Sequence, residues 1–210
     1  MQRLLITASF LLATAGGGVA QTIDPAQLPA RDRHEGLLIA ADPYADSARA
    51  KEKFGKANPT AVGIIPIEIY LKNETDMPLR IELSSIRLEI SSGPSRQRVE
   101  PLTPVQTAQI IVHPNGAQTP EARRLPVPKV IPMQSKDKKV KQIADLLQPF
   151  ALDADVIPPQ ATIHGFLFFD FGSNLDELHK ASLYVPGIAS IPSNKPLTYF
   201  EIDLGAALRE

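Results

Sequence analysis

The sequence predicts a mainly β fold, an antiparallel β structure that carries a helical insertion. One observation is a strict alternation of apolar and polar residues over 65–72, which is the period of a strand with one buried face. A second is the 20 prolines, which recur between short apolar runs and are typical of turns that join many short strands. A third is the segment from about 95 to 152, where helix signals replace the alternation.

Several runs have the composition and period of strands. The alternation at 65–71 is repeated at 79–83 and again at 86–90, where Arg87 and Glu89 are predicted to point outward. Because only polar turns separate these three runs, we expect them to form one antiparallel sheet with a single buried face. Residues 91–98 are interpreted as a polar loop. Further strands are predicted at 35–41, 161–171 (buried on both faces, or central), 182–185 and 198–204.

Three segments are predicted to be helical. Residues 45–54 are rich in helix formers, with Asp46 or Ser47 as the N-cap and Gly55 as the stop signal. Thr103 and Pro104 begin a second helix that reaches residue 112. Residues 135–150 place apolar side chains on one helical face, which we expect to dock on the β-sheets. That face consists of Val140, Ile143, Leu146, Leu147 and Phe150.

The N-terminal residues have the features of a secretory signal peptide. Arg3 precedes a short apolar run, and small residues that end in Ala20 follow, so we predict a signal peptide at 1–20 with cleavage after Ala20. The alternative is an uncleaved membrane anchor, but the run is about half of the ~20 residues that a spanning helix needs. We expect a flexible lead-in at 21–33 and a single domain at 34–210, in the periplasm or outside the cell, with no transmembrane segment after cleavage.

Composition excludes several classes of function. The chain has no cysteine, which excludes cysteine proteases, thiol redox chemistry, thiolate metal sites and lipid attachment at an N-terminal cysteine. Removing residues 1–20 leaves 21 lysines and arginines against 23 aspartates and glutamates, a formal charge of −2. This balance gives no electrostatic reason to expect nucleic acid as a partner.

Two stretches resemble the immunoglobulin-like β-sandwiches of exported bacterial proteins, and also the water-stress type of late-embryogenesis-abundant domain. One is the strand at 65–72 with its polar turn Asn73-Glu74-Thr75 and the strand that begins at Pro78. The other is the proline turn at 157–160 before the Gly-aromatic strand at 164–169. The chain also resembles uncharacterised exported bacterial proteins around 54–59 and 63–66. The resemblance implies an immunoglobulin-like antiparallel β-sandwich in which 95–152 is a helical and loop insertion.

Candidate catalytic and metal-binding residues are dispersed along the chain. The histidines at 34, 113, 164 and 179 lack the close spacing of metal ligands, and no Gly-x-Ser-x-Gly turn is present. A metal site or hydrolase that uses His164, His179 and nearby acids is the alternative hypothesis, with His34–Glu35 a further possible contact. Candidate acids are Asp153 with Asp155, and Asp170 with Asp176 and Glu177.

One stretch of the sequence concentrates positive charge. It suits an anionic partner, although a solvated loop and helix face is the simpler interpretation. We therefore predict a non-catalytic binding or accessory module of the cell envelope, without a cofactor, that contacts another envelope protein or an anionic envelope component. The candidate contact residues are Arg123, Arg124, Lys129, Lys136, Lys138, Lys139 and Lys141.

Overall fold

The computed structural model describes residues 23–92, 95–114, 137–172 and 174–209. Within these ranges the fold is mainly β, as predicted, and every pair of neighbouring strands is antiparallel. The strands are β1 (Arg31–His34), β2 (Leu37–Pro43), β3 (Ile64–Asn73), β4 (Leu79–Ile81), β5 (Arg87–Ser92), β6 (Ser95–Val99), β7 (Val156–Ile157), β8 (Thr162–Asp170), β9 (Ala181–Val185), β10 (Ile188–Ser190) and β11 (Phe200–Asp203).

The strands form three sheets that share one core. The first sheet has the order β1-β2-β3-β8, the second β10-β4-β7 and the third β11-β9-β5-β6. Alternate residues of β3, the four aliphatic side chains predicted at 65–71, are fully buried in this core together with residues from the second and third sheets. The first sheet therefore packs one face against the other two sheets, as the hydrophobic alternation requires.

The three consecutive strands predicted to pair with each other do not pair, so that prediction is wrong. β3, β4 and β5 lie in the first, second and third sheets, and β3 pairs instead with β2 and β8. The physical reason lies in the turn after β3. Buried Asn73 donates through Nδ2 to the carbonyls of Met77 (2.8 Å), Ile157 (3.2 Å) and Pro158 (3.1 Å), and its Oδ1 accepts from Thr75. These bonds hold the chain as it leaves β3 and tie it to the segment that follows β7.

Two predicted boundaries also need correction. The lead-in expected at 21–33 contains a 3₁₀-helix at Pro25–Gln27 and most of β1, which pairs with β2 and brings the His34 ring 3.7 Å from that of Phe200. The polar loop expected at 91–98 contains the end of β5 and most of β6. Arg96 and Arg98 escape detection as strand residues because β6 is an edge strand whose outward side chains are charged.

Three α-helices lie within the described residues: α1 (Ser47–Phe54), α2 (Pro104–Val112) and α3 (Asp137–Leu147). Asp46 caps α1, since its Oδ1 accepts from the amides of Ala48 (2.6 Å) and Arg49 (3.3 Å). Thr103 and Gln106 form a reciprocal capping box at the start of α2. Short 3₁₀-helices occur at Gly55–Ala57, Pro59–Val62, Leu83–Ser85, Gln148–Phe150, Leu175–Lys180 and Leu204–Leu208.

The helices cover part of the outer face of the first sheet and form a second core there. Phe54 of α1 packs edge-to-face on Phe166 of β8, with ring centroids 5.0 Å apart, and Leu147 of α3 is fully buried. The expected docking of α3 is confirmed, but Leu146 is 45% exposed and does not belong to the buried face. β3 is consequently buried on both faces and not on one.

The helical insertion also protects the edge of β8. Leu102 bridges to Phe168 and Ala151 bridges to Phe166, while the amide of Leu152 donates to the Phe166 carbonyl at 3.0 Å. From Gly165 to Asp170, β8 is thus buried on both faces, as predicted, although it is the last strand of its sheet. At its start Thr162 and His164 are exposed, contrary to the prediction. The close approach requires Gly165, because a Cβ there would lie 2.6 Å from the Cα of Leu152.

Candidate functional site

A cluster of polar side chains lies where the helices meet the open part of the first sheet. Its centre is Glu68 on β3, which is 3% exposed in spite of its charge. On neighbouring strands, Asp42 lies directly opposite Glu68 and His164 directly opposite Tyr70. The Glu68 cluster consists of Asp42, Tyr44, Arg49, Glu68, Tyr70 and His164.

Both oxygens of the Glu68 carboxylate are engaged. Tyr44 donates its hydroxyl to Oε2 at 3.1 Å, and Nδ1 of His164 lies 3.0 Å from Oε1. Arg49 reaches Asp42 with two bonds, of 2.8 and 2.5 Å, and its guanidinium lies 3.8 Å above the ring of Tyr44. The buried charge is therefore compensated by hydrogen bonds, as burial of a carboxylate requires.

The cluster perturbs the ionisation of its tyrosines. Burial, and then the negative charge of Glu68, raise the pKa of Tyr44 to about 12. The same two causes raise the pKa of Tyr70 above its ordinary value. Both phenols are consequently neutral at physiological pH, and Tyr44 serves Glu68 as a hydrogen-bond donor.

The arrangement around His164 has a chemical consequence. In the tautomer that carries its proton on Nδ1, His164 donates to Oε1 of Glu68, which holds the ring in one orientation and leaves the lone pair on Nε2. The side chain of His164 is 59% exposed, and its ring stacks on Tyr70 with centroids 5.4 Å apart. Nε2 has no hydrogen bond or ion pair within the described residues. This atom can accept a proton or bind a single ligand at the surface.

The helices that cover the first sheet carry a positive charge that the whole chain does not have. We call α1, residues 55–57, α2 and α3 the helical layer. It contains seven basic and three acidic residues, against a formal charge of −1 for the chain. Among them Arg49 is paired with Asp42. The six lysines are all exposed and form no salt bridge within the described ranges: Lys51, Lys53, Lys56, Lys138, Lys139 and Lys141.

The structure describes only part of the predicted contact surface. Lys138, Lys139 and Lys141 lie on α3 and are exposed, outside the buried face of that helix. The remaining contact candidates lie outside the described residues: Arg123, Arg124, Lys129 and Lys136. The predicted signal peptide also lies outside them. The lysines of α1 and its following turn were not predicted as contacts, although their own run of positive charge is a signal that the sequence contains.

The other candidate residues are spread over different elements. The structure pairs His164 with Glu68, and His179 lies in the 3₁₀-helix at Leu175–Lys180. His34 does meet Glu35, with 3.5 Å between Nδ1 and Oε2. No group of three or more histidines, aspartates and glutamates in the described part of the chain is arranged to hold a metal ion.

The candidate acids serve backbone structure or face solvent. Asp170 is buried, and its Oδ1 accepts from the amide of Gly172 at 2.9 Å. Asp153 and Asp155 precede β7 and do not lie on a strand. On the 3₁₀-helix at Leu175–Lys180, Asp176 is exposed and Glu177 is half-buried. The Glu68 carboxylate was missed because the alternation of β3 predicts a solvent-facing side chain at that position.

An open cleft of about 730 Å³ lies over the second sheet. Ile81, Ile188 and Ala189 contribute apolar surface, and the Nη2 of Arg80 is held by Asn194 Oδ1 at 2.6 Å. The acids Glu82 and Asp155 also line it. Among the candidate residues that the structure describes, Asp155 alone lines the cleft.

Comparisons with known proteins identify no family for this chain. No family model matches it, and no curated protein is significantly similar. It is similar to the crystal structure of a functionally unknown protein from Listeria monocytogenes EGD-e, with a TM-score of 0.35 and 13% identity over 76% of this chain and 72% of that one. In the part of the chain that the structure describes, no helix is long and apolar enough to cross a membrane.

Proposed function

We propose that this protein is an exported, non-catalytic binding module of the cell envelope, in the periplasm or outside the cell, built as an immunoglobulin-like β-sandwich. The observation that carries the binding role is the helical layer, where six exposed lysines have no salt bridge within the described residues while the chain as a whole is nearly neutral. Such a concentration of positive charge favours an anionic envelope component or the acidic surface of an envelope protein.

Three arginines of the chain, unlike these six lysines, are paired with carboxylates within the described residues. Arg33, Arg49 and Arg209 each have a carboxylate partner within 2.8 Å. Lys138 and Lys139 stand in the first turn of α3, where the helix dipole makes a positive charge unfavourable. Their position does not help the helix, and contact with an anionic partner would offset that cost.

Binding to anionic surfaces tests the proposal. The purified protein is mixed with vesicles that contain phosphatidylglycerol, and with isolated envelopes, and is sedimented at increasing salt. We expect Lys138→Gln with Lys139→Gln to reduce sedimentation about tenfold at low salt, because two charges leave the surface. The matched control, Lys180→Gln with Lys195→Gln, changes the net charge equally and should bind as the parent does. Equal loss in both double variants, or in neither, would contradict the proposal.

Export has its own test. The predicted signal peptide makes the mature protein begin at Gln21. Fractionation of cells that express the full chain, followed by N-terminal sequencing, should find that end outside the cytoplasm. A full-length product in the cytoplasm would exclude the envelope location.

A second candidate function is metal binding or hydrolysis at His164, and the observation that favours it is the 3.0 Å contact of Nδ1 with the buried Glu68. Titration with Zn²⁺ by calorimetry separates this function from the first. Stoichiometric Zn²⁺ binding that His164→Ala abolishes would establish metal binding at His164. The absence of binding heat would exclude both metal binding and metal-dependent hydrolysis.

A further inference from the structure

The third sheet leaves its outer face open to solvent on the side of the molecule opposite the helical layer. The inner residues of this sheet lie in the core shared with the first sheet, whereas the helices pack on the other face of the first sheet. Glu201, Tyr184 and Arg87 lie directly opposite one another across the strands. We call the outward side chains the arginine–tyrosine face: Arg87, Glu89, Arg96, Arg98, Tyr184 and Tyr199.

These side chains hold one another in place. The guanidinium of Arg87 lies 4.1 Å from the centroid of the Tyr184 ring, and the rings of Tyr184 and Tyr199 are 5.0 Å apart. Arg87 also contacts the carboxylate of Glu89 at 3.2 Å. Groups that are already ordered lose little side-chain entropy when a ligand binds.

The β5–β6 half of the face has an excess of positive charge. Glu89 is the carboxylate partner of three arginines, with distances of 3.3 Å to Arg96 and 3.8 Å to Arg98. The side chains of Arg96 and Arg98 are 68% and 70% exposed, so their remaining N–H groups point to solvent. A guanidinium recognises a carboxylate or phosphate through paired hydrogen bonds. Glu201 on β11 adds a negative charge at the opposite edge of the face. Because that charge repels an anion, we expect an anionic group to bind over β5 and β6.

The other half of the face offers an aromatic surface. Tyr199 is 50% exposed, and its ring contacts the tilted ring of Tyr184. An exposed tyrosine offers an apolar ring together with a polar hydroxyl, which suits a partner that is itself both apolar and polar. The C–H face of a sugar ring is such a partner, since it stacks on the ring while its hydroxyl groups reach polar neighbours. The outward face of a sheet provides no deep pocket for peptide side chains.

We propose that the arginine–tyrosine face binds an anionic glycan, with a sugar ring on Tyr199 and an acid group at Arg96 and Arg98. From β11 to β6 the face spans three strand spacings, or about 14 Å. The register also offsets Tyr199 along the strands by four residues from Arg98 and by six from Arg96, so the two ends of the site lie farther apart than one sugar ring. The ligand therefore has two or more sugar residues. This surface and this class of partner go beyond the proposed function, which rests on the lysines of the helical layer.

Oligogalacturonate, a glycan with a carboxylate on each sugar, is the probe for this site. The chain has no tryptophan and four tyrosines, of which Tyr184 and Tyr199 lie on the face, so intrinsic fluorescence reports from the site. Calorimetry and fluorescence titrations should show binding that weakens at least tenfold in Tyr199→Ala and in Arg96→Ala with Arg98→Ala. Tyr199→Phe keeps the ring and should retain most of the affinity.

Three controls decide between this proposal and its alternatives. Neutral dextran oligosaccharides should bind at least tenfold more weakly than oligogalacturonate, and equal affinity would overturn the anionic part. Poly-glutamate that binds as tightly as oligogalacturonate would show a surface for acidic peptides and overturn the glycan. Lys138→Gln with Lys139→Gln should bind oligogalacturonate as the parent protein does. Loss of oligogalacturonate binding in this double variant, or no binding by the parent protein, would overturn the assignment to this face. Neither outcome affects the vesicle test of the helical layer.

Discussion

Glu68 lies in the outward register of β3, where an isolated sheet would leave it in water. The helices cover that part of the sheet, and the carboxylate instead accepts a hydrogen bond from the Tyr44 hydroxyl and contacts His164. A buried carboxylate without such partners would be costly, so the Glu68 cluster is a unit in which each side chain depends on the others. The raised pKa of Tyr44 is the measurable consequence.

The first prediction concerns alkaline pH. Because the folded state raises the pKa of Tyr44 from its ordinary value of 10 to about 12, the folded state favours the neutral phenol. The stability that this provides is fully present below pH 10 and is lost as the pH rises through 12. Urea unfolding from pH 9 to 12 should therefore show a shallower decline for Tyr44→Phe than for the parent. Parallel declines would contradict the role of Tyr44.

At the scale of the element, one face of α3 packs on the protein and the rest of its surface is exposed to solvent. Val140, Ile143 and Leu147 are buried against the first sheet, and the lysines of the first turns are exposed to solvent. The helix therefore owes its position to packing, because lysines near its N-terminus do not stabilise it. The exposed face is free to be used for binding without loss of the fold.

The second prediction compares two adjacent leucines of α3. Leu147→Ala should lower the free energy of unfolding by about 2–4 kcal/mol, because the side chain is fully buried and leaves a cavity. Leu146→Ala, whose side chain is 45% exposed, should cost less than about 1 kcal/mol. Urea unfolding of both variants measures the difference. Equal losses would mean that α3 presents another face to the sheet.

At the scale of the whole molecule, the first sheet lies between two hydrophobic cores. One core separates it from the helical layer, and the other separates it from the second and third sheets. The insertion contributes to this order, since Ala151 and Leu102 bridge to the edge of β8. The lysines of the helical layer and the arginines of the third sheet consequently face opposite directions. The two positively charged surfaces can therefore contact two different partners at once.

The third prediction concerns the contact between the insertion and the first sheet. Gly165→Ala would place a Cβ 2.6 Å from the Cα of Leu152, and backbone atoms cannot yield as a flexible side chain does. We expect a loss of about 1–3 kcal/mol in the free energy of unfolding. Amide hydrogen exchange at Leu152 should also rise, because its bond to Phe166 is displaced. Thr162→Ala, at an exposed site on the same strand, should change stability by less than about 0.5 kcal/mol.

The sequence by itself determined the local structure of this protein. The caps at Asp46 and Thr103 and the burial of the four aliphatic side chains at 65–71 depend on neighbours a few residues away, and all of them are confirmed. The outward register of Arg87 and Glu89 belongs to the same local information, because side chains alternate along a strand whatever it pairs with.

Only the tertiary structure decided which strands pair and which faces are covered. β3 pairs with β8, about a hundred residues later, because the hydrogen bonds of Asn73 hold a turn that no hydrophobic period encodes. The burial of Glu68 and the exposure of Arg96 and Arg98 follow from where the helices pack, and alternation cannot distinguish a face covered by helices from one in water. The Glu68 cluster and the arginine–tyrosine face are therefore products of long-range packing.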